Sequence, residues 1–265
     1  MAEQRGRPDA SGAADIARMQ DYWRGGTDNF PADRRAAEHA SAAYPDLAAS
    51  IRANRAFQAR AVRYLAGPAG LRQFLDIGTG LPAEGSVGAL ARAIAPGCSV
   101  VYADNDPTVA GRSAALLAAG PPGTTAFLDA DLRDVAALTS RAAATLDLSA
   151  PVAVMLVSVL HMITDQDDPH RIVADLMSRM PHGSYLVVTH VAADIDPAAI
   201  AEMARRVNQH AARSATPRSR AAVTRFFDGL DLVPPGVVRA AEWRPDSADE
   251  AASPSAQWAG VARKA

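Results

Sequence analysis

Lysine is almost absent from this 265-residue chain: Lys264 is the only one, so 26 of the 27 basic residues are arginine. That absence excludes a phosphate-loop lysine, a Schiff-base lysine and the Tyr-x-x-x-Lys pair of short-chain dehydrogenases. Cysteine is equally scarce. Cys98 stands alone, which rules out an internal disulfide and a cysteine-clustered metal site and fits a reducing compartment. None of the six histidines pairs with another at ligand spacing, so no metal is expected. There is no long apolar run: the most apolar stretch, Val152 to Ile163, spans 12 residues and holds Ser158 and His161, against about 20 for a membrane helix. Charge of one sign is lacking too. A net charge of -2 and a pI near 6.3 imply no broad basic surface, so a small-molecule partner is favoured over nucleic acid or membrane. Residues 1 to 15 carry no apolar core of a signal peptide, and a cytoplasmic location is the expectation.

What is present begins at Phe74-Leu75-Asp76-Ile77-Gly78-Thr79-Gly80-Leu81-Pro82, an apolar strand running into a glycine turn. Two glycines spaced in this way let the backbone turn sharply and approach a ligand, and a following helix presents N–H groups at its start. Asp76 selects the ligand. A carboxylate two residues before the turn repels a pyrophosphate but favours a sulfonium amino acid, with its ammonium group and ribose.

Residues 1–13 read as a disordered tail and residues 14–70 as a helical cap. Its helices are expected over 15–24, 31–42 and from about residue 45, where Leu47, Ile51, Asn54, Gln58, Ala61 and Leu65 recur at helical spacing. Residues 71–265 alternate short apolar runs with amphipathic stretches, which predicts strands at 73–77, 99–103, 124–128, 152–158 and 184–190 around a parallel sheet. A helix is expected at about 197–213. Leu230 to Trp243 and Trp258 to Arg263 read as two closing strands in an antiparallel edge hairpin.

In an open parallel sheet, ligands sit outside the C-terminal strand ends near the switch in strand order. Four strand ends carry suitable residues. The first holds Asp76, Gly78, Thr79 and Gly80. The second ends in Asp104-Asn105-Asp106, where Asp104 is the candidate acceptor for ribose hydroxyls. The third is followed by Asp131 and Leu132, a carboxylate for an adenine amino group and an apolar surface for its ring. The fourth ends in Ser158-Val159-Leu160-His161. Asp106 and Asp134 read instead as helix N-caps.

Taken together, Asp76-Ile77-Gly78-Thr79-Gly80, Tyr102-Ala103-Asp104, Asp131-Leu132 and Val159-Leu160-His161 resemble the class I S-adenosylmethionine-dependent methyltransferases. More closely, the chain resembles an actinobacterial S-adenosyl methyltransferase family formerly known as a domain of unknown function. Asp21 to Phe30, Arg52 to Arg55, Val101 to Pro107, Asp131 to Asp134, Gly183 to His190 and Glu242 to Pro245 add to the likeness, which covers nearly everything from about residue 14. The resemblance implies a Rossmann-like α/β fold with a seven-stranded, mostly parallel sheet, a C-terminal antiparallel hairpin and S-adenosyl-L-methionine as cofactor. It also implies that Asp76, Gly78 and Gly80 line the methionine part, that Asp104 holds the ribose and that Asp131 and Leu132 contact adenine. Pro82 replaces the third glycine of the broader class pattern.

The cluster Tyr22-Trp23-Arg24-Gly25-Gly26-Thr27-Asp28-Asn29-Phe30 has two readings. Trp23 and Phe30 anchor the helical cap, or Tyr22, Trp23, Arg24, Asp28 and Asn29 serve cofactor or acceptor, with Gly25-Gly26 as a hinge. For a hydroxyl or amine acceptor, His161 is the first candidate base and His190 the second. Two rivals remain. Gly78-x-Gly80-x-x-Ala83 also satisfies a dinucleotide pattern, which would make the chain an NAD-dependent oxidoreductase, and the fold could bind S-adenosylmethionine as a regulator or cyclase.

Overall fold

The computed structural model describes residues 14–265 apart from 119, 122 and 212; the expected tail at 1–13 lies outside the described residues. Three helices come first: α1 (Ile16–Trp23), α2 (Pro31–Ala43) and α3 (Leu47–Ala66). Alternation then begins with β1 (Gln73–Ile77), α4 (Val87–Ile94), β2 (Ser99–Asp104), α5 (Pro107–Arg112), α6 (Ala114–Ala118), β3 (Thr125–Asp129), α7 (Val135–Ala142), β4 (Ala153–Val157), α8 (Pro169–Ser178), β5 (Tyr185–Val191) and α9 (Pro197–His210). The chain closes through α10 (Arg220–Thr224), β6 (Asp231–Leu232), β7 (Val238–Arg239), α11 (Ala248–Ala251) and β8 (Gln257–Arg263). No helix among the described residues is long and apolar enough to cross a membrane.

The sheet runs β3-β2-β1-β4-β5-β8-β6, with β7 also on β8. β1 to β5 are parallel, and β8 is antiparallel to β5. The order reverses between β1 and β4, which opens a crevice at their C-terminal ends.

Alternation along the buried strands feeds two cores. Leu75, Ile77, Val101, Val154 and Leu156 pack under α7 and α8 on one face. Phe74, Val100, Tyr102, Met155 and Val187 face α3 and α4 on the other, with Phe57 and the fully buried Trp243. Trp243 meets Phe57 edge-on at 5.4 Å, and Arg60 of α3 donates to the carbonyls of Trp243 and Ala240 at 2.8 and 2.6 Å. Those contacts fix α3 across the sheet. A third cluster joins Met19, Ala37, Ala40 and Ile51 to Ile200, Met203 and Val207 of α9, seating the first two helices on the C-terminal half.

One expectation fails at the sheet edge. Leu230 to Trp243 is not one strand but two short ones separated by Pro234-Pro235-Gly236, followed by a 3-10 turn at Ala240–Glu242. Both pair with β8. Proline supplies no N–H to a ladder, so the run of hydrophobicity cannot continue as a strand through it. The sheet therefore counts eight strands in place of seven.

Candidate active site

A cavity of about 490 Å³ opens over the C-terminal ends of β1 to β4, within the size range of small-ligand sites of about 300–1,000 Å³. The strand ends supply Asp76 to Pro82, Asp104 to Asp106, Ala130 to Arg133 and Val157 to Val159, and helices α1 and α3 supply the opposite wall. All nine strand-end candidates, Ser158 and Leu132 included, line it.

The glycine turn is built for close approach. Gly78 and Gly80 have φ of 70° and 67°, in the left-handed region that side chains avoid. A Cβ on Gly78 would lie 2.6 Å from Val159 Cγ2, whereas one on Gly80 would meet nothing within 4 Å. The first glycine makes room for the segment after β4; the second faces open cavity. Gly80 N–H donates to Asp104 Oδ2 at 2.9 Å, and Asp106 N–H donates to Asp104 Oδ1 at 3.0 Å. The ends of β1 and β2 are thereby locked together. The helix after the turn starts at Val87, with Ser86 as its cap, beyond Pro82 and the loop to Gly85.

Burial pushes the Asp76 carboxyl up to about 6, against the opposing effects of Thr79 Oγ1, which donates to it at 3.1 Å, and of the Arg55 guanidinium. Burial likewise raises Asp104 above the usual carboxylate range despite its two N–H donors. Asp131 goes the other way: burial acts to raise it, but Arg133 N–H at 2.8 Å and the Asn105 amide at 2.7 Å hold it below that range. Asn105 in turn accepts from Arg213 at 2.5 Å. Asp106 and Asp134 do cap helices, through Thr108 and Ala137 N–H.

Ser158 has a φ of 58°, a left-handed conformation that costs a non-glycine residue about 1–3 kcal/mol. Its N–H is held by Thr189 Oγ1 at 2.9 Å, and its Oγ accepts from Asn54 Nδ2 at 3.0 Å. Asn54 Oδ1 is buried without a partner. Strain and an orphan acceptor together mark this wall as the part of the site shaped for something other than its own packing.

The two histidines lie elsewhere. Neither His161 nor His190 lines the cavity, and both rings are buried, 5.8 Å apart. Burial, and then the Arg218 charge, lowers His161 to about 4. Burial, reinforced by His161, holds His190 well below the ordinary imidazole value. His190 sits between the Val191 carbonyl and Arg218, so its Nδ1 carries the proton and Nε2 accepts at 2.9 Å. Both candidate bases thus stand behind the cavity wall and not on it.

Of the aromatic and glycine cluster, Arg24 alone lines the cavity. Trp23 Nε1 donates to Ser41 Oγ at 3.0 Å, Tyr22 to Glu38 at 3.0 Å, and Asp28 pairs with Arg112 at 2.5 Å. Asn29 donates to Asp21, whose carboxylate also takes Asp28 N–H. Gly26 packs onto that carboxylate so closely that a Cβ would fall 2.0 Å from it. Gly25-Gly26 is thus a turn wound around Asp21.

Arg55, Arg213, Asn54 and Gln58 also line the cavity without having stood among the candidates; for the last two, amides recurring four residues apart within the helical stripe of α3 are the available signal.

The fold agrees with that of known proteins. A family model described as S-adenosyl methyltransferase matches residues 2–265. A solved DUF574 family protein from Streptomyces avermitilis is 40% identical, with a TM-score of 0.90 over 96% of this chain and 98% of that one. A structure from Thermobifida fusca, whose proposed activity is methyl transfer, is 36% identical with a TM-score of 0.89, covering 96% of each chain. The mitomycin 7-O-methyltransferase shares the fold at 19% identity and a TM-score of 0.54, over 82% of this chain and 55% of that one. No curated protein matches the chain. On the matched family model and these two close structural relatives, the chain belongs to the S-adenosyl methyltransferase family.

Proposed function

We propose that the chain transfers a methyl group from S-adenosylmethionine directly to a small-molecule acceptor, with residues 14–70 forming a helical cap over the site. The observation that carries this reading is the lock between Gly80 and Asp104 beneath open cavity, flanked by Asp76 and Asp131 at neighbouring strand ends. The residues fit the cofactor: the bare face of Gly80 leaves room for it, and the orphan Asn54 Oδ1 awaits a donor. Asp76, Thr79 and the glycine turn would hold its amino-acid end, Asp104 and Asn105 its ribose, Asp131 and Leu132 its adenine, and Ser158 would border the reactive end. When bound, the cofactor supplies a methyl carbon that takes the acceptor's electron pair as its bond to sulfur breaks. The protein's own tasks are alignment and exclusion of water by the walls from α1 and α3. Its histidines stand outside the cavity, so no imidazole is assigned a proton.

The test has two arms. S-adenosylhomocysteine should bind in calorimetry, and Asp104→Ala should weaken it by about 10- to 100-fold, the equivalent of one or two charge-assisted hydrogen bonds. Incubation with S-adenosylmethionine and a small-metabolite extract should release S-adenosylhomocysteine. Binding without release would favour a regulatory or cyclising role, and failure to bind would reject the reading.

Asp76 adds a pH dependence. Its carboxylate form attracts the ligand's ammonium group, so affinity for S-adenosylhomocysteine should rise about tenfold between pH 5 and 7.5 as a group titrating at about 6 ionises. Stability moves oppositely. The folded value lies above the unfolded 3.8, so the native state holds more protons in between and the contribution of Asp76 declines as pH rises from about 4 to 6. Asp76→Asn should flatten the binding profile; an unchanged slope in that variant would assign the effect to another group.

A further inference from the structure

Two guanidinium groups line the cavity wall opposite the strand ends, Arg24 after α1 and Arg55 on α3. Arg55 is pinned. It donates to Gln58 Oε1 at 3.0 Å and to the carbonyls of Glu84 and Gly85 at 3.0 and 3.2 Å, on the loop after the glycine turn. Asp76 is the carboxylate whose charge it feels. Arg24 is differently placed. Among the described residues its guanidinium has no ion-pair partner, and the carboxylate it senses, Asp21, is already engaged by Asp28 N–H and the Asn29 amide. Burial and the neighbouring Arg55 charge both hold Arg24 below its ordinary value, and the Asp21 charge offsets them only in part.

Pairing assigns the two arginines different work. The amino-acid end of the cofactor is a zwitterion, and Arg55 with Asp76 offers one cation and one anion to match it. Arg24 stays without an ion-pair partner among the described residues, on the wall of the same cavity. A guanidinium fork pairs with a carboxylate in two parallel hydrogen bonds, the arrangement that best compensates such a desolvated cation. The other carboxylates of the lining, Asp15, Asp104, Asp106 and Asp131, each already accept from a backbone N–H.

We propose that the methyl acceptor is a small molecule bearing a carboxylate, which Arg24 holds beside the cofactor site. The proposal rests on the methyl-transfer reading above.

Binding to the protein saturated with S-adenosylhomocysteine tests it, with benzoate and phenylacetate as probes and benzamide and phenylacetamide as their neutral counterparts. At least one acid should bind about tenfold or more tightly than its amide, a difference worth about 1.4 kcal/mol. Arg24→Gln should erase that preference, Arg24→Lys should keep part of it, and affinity of the Gln variant for S-adenosylhomocysteine should change by less than about threefold. Equal affinity for acid and amide, failure of both acids to bind, or a preference that survives Arg24→Gln would overturn the proposal. So would a loss of S-adenosylhomocysteine affinity beyond about tenfold in a folded Arg24→Gln protein, which would give Arg24 to the cofactor instead. Failure of the wild-type protein to bind S-adenosylhomocysteine would strike the methyl-transfer reading itself, a separate result.

Discussion

Alanine at Gly78 is expected to destabilise the protein by about 2–5 kcal/mol, whereas alanine at Gly80 should cost about 1–2 kcal/mol and abolish cofactor binding. The two glycines share a left-handed backbone, with φ of 70° and 67°, so each substitution carries the same conformational penalty. They differ in what surrounds them. A Cβ on Gly78 lies 2.6 Å from Val159 Cγ2 and 2.7 Å from Val159 Cβ, so the segment after β4 must shift, and overpacking adds about 1–3 kcal/mol. A Cβ on Gly80 meets no protein atom within 4 Å. Its methyl group would instead occupy cavity volume that a ligand needs beside the Asp104 carboxylate. Thermal melts and calorimetric titration with S-adenosylhomocysteine separate the two effects. Wild-type affinity in Gly80→Ala would show that the ligand does not approach this turn, and wild-type stability in Gly78→Ala would show that Val159 yields freely.

The same turn illustrates what the sequence makes legible. A short apolar run ending in Asp76-x-Gly78-x-Gly80 locates both a buried strand and the end where ligands gather, because parallel strands covered on both faces are written as unbroken hydrophobic segments. The expected strands at 73–77, 99–103, 124–128, 152–158 and 184–190 accordingly fall within two residues of β1 to β5 at either end. Periodicity fails where local chemistry overrides it, as at Pro234-Pro235-Gly236. It also cannot show which strand-end side chains turn toward the crevice. His161 follows β4 as Ser158 does, yet Ser158 adopts a left-handed backbone that puts it on the cavity wall while His161 turns into the core. Arg24 and Trp23 are adjacent in sequence and face opposite ways for the same reason: α1 packs the partly buried Trp23 against α2 and leaves Arg24 at its end beside the cavity. Contacts between distant segments decide these outcomes, and no spacing within one segment encodes them.

Arg218 is the most consequential of those distant contacts, and Arg218→Met should destabilise the fold by about 3–5 kcal/mol. The side chain is 5% exposed and comes from the segment that follows α9. It donates to the carbonyls of Leu160 and Ile163 at 3.0 and 2.9 Å, to His190 Nε2 at 2.9 Å and to Asp165 at 2.5 Å. The ion pair contributes little, because the Asp165 side chain is 80% exposed and its charge is screened by water. The loss comes from the other three acceptors. Two carbonyls and an imidazole nitrogen would stay buried without a donor, at about 1–3 kcal/mol each before relaxation. In a domain of this size the fall should lower the melting temperature by about 10 °C. Arg218→Lys keeps the charge but not the planar fork, so it should reach some of the acceptors and fall between the two. Function should follow stability here. Leu160 and Ile163 bracket the turn that carries Met162, Ile163 and Thr164 into the cavity wall, so protein that remains folded in Arg218→Met should bind S-adenosylhomocysteine more weakly than wild type. A melting temperature within 2 °C of wild type, or undiminished binding in a destabilised variant, would show that the β4 turn holds its place without this arginine.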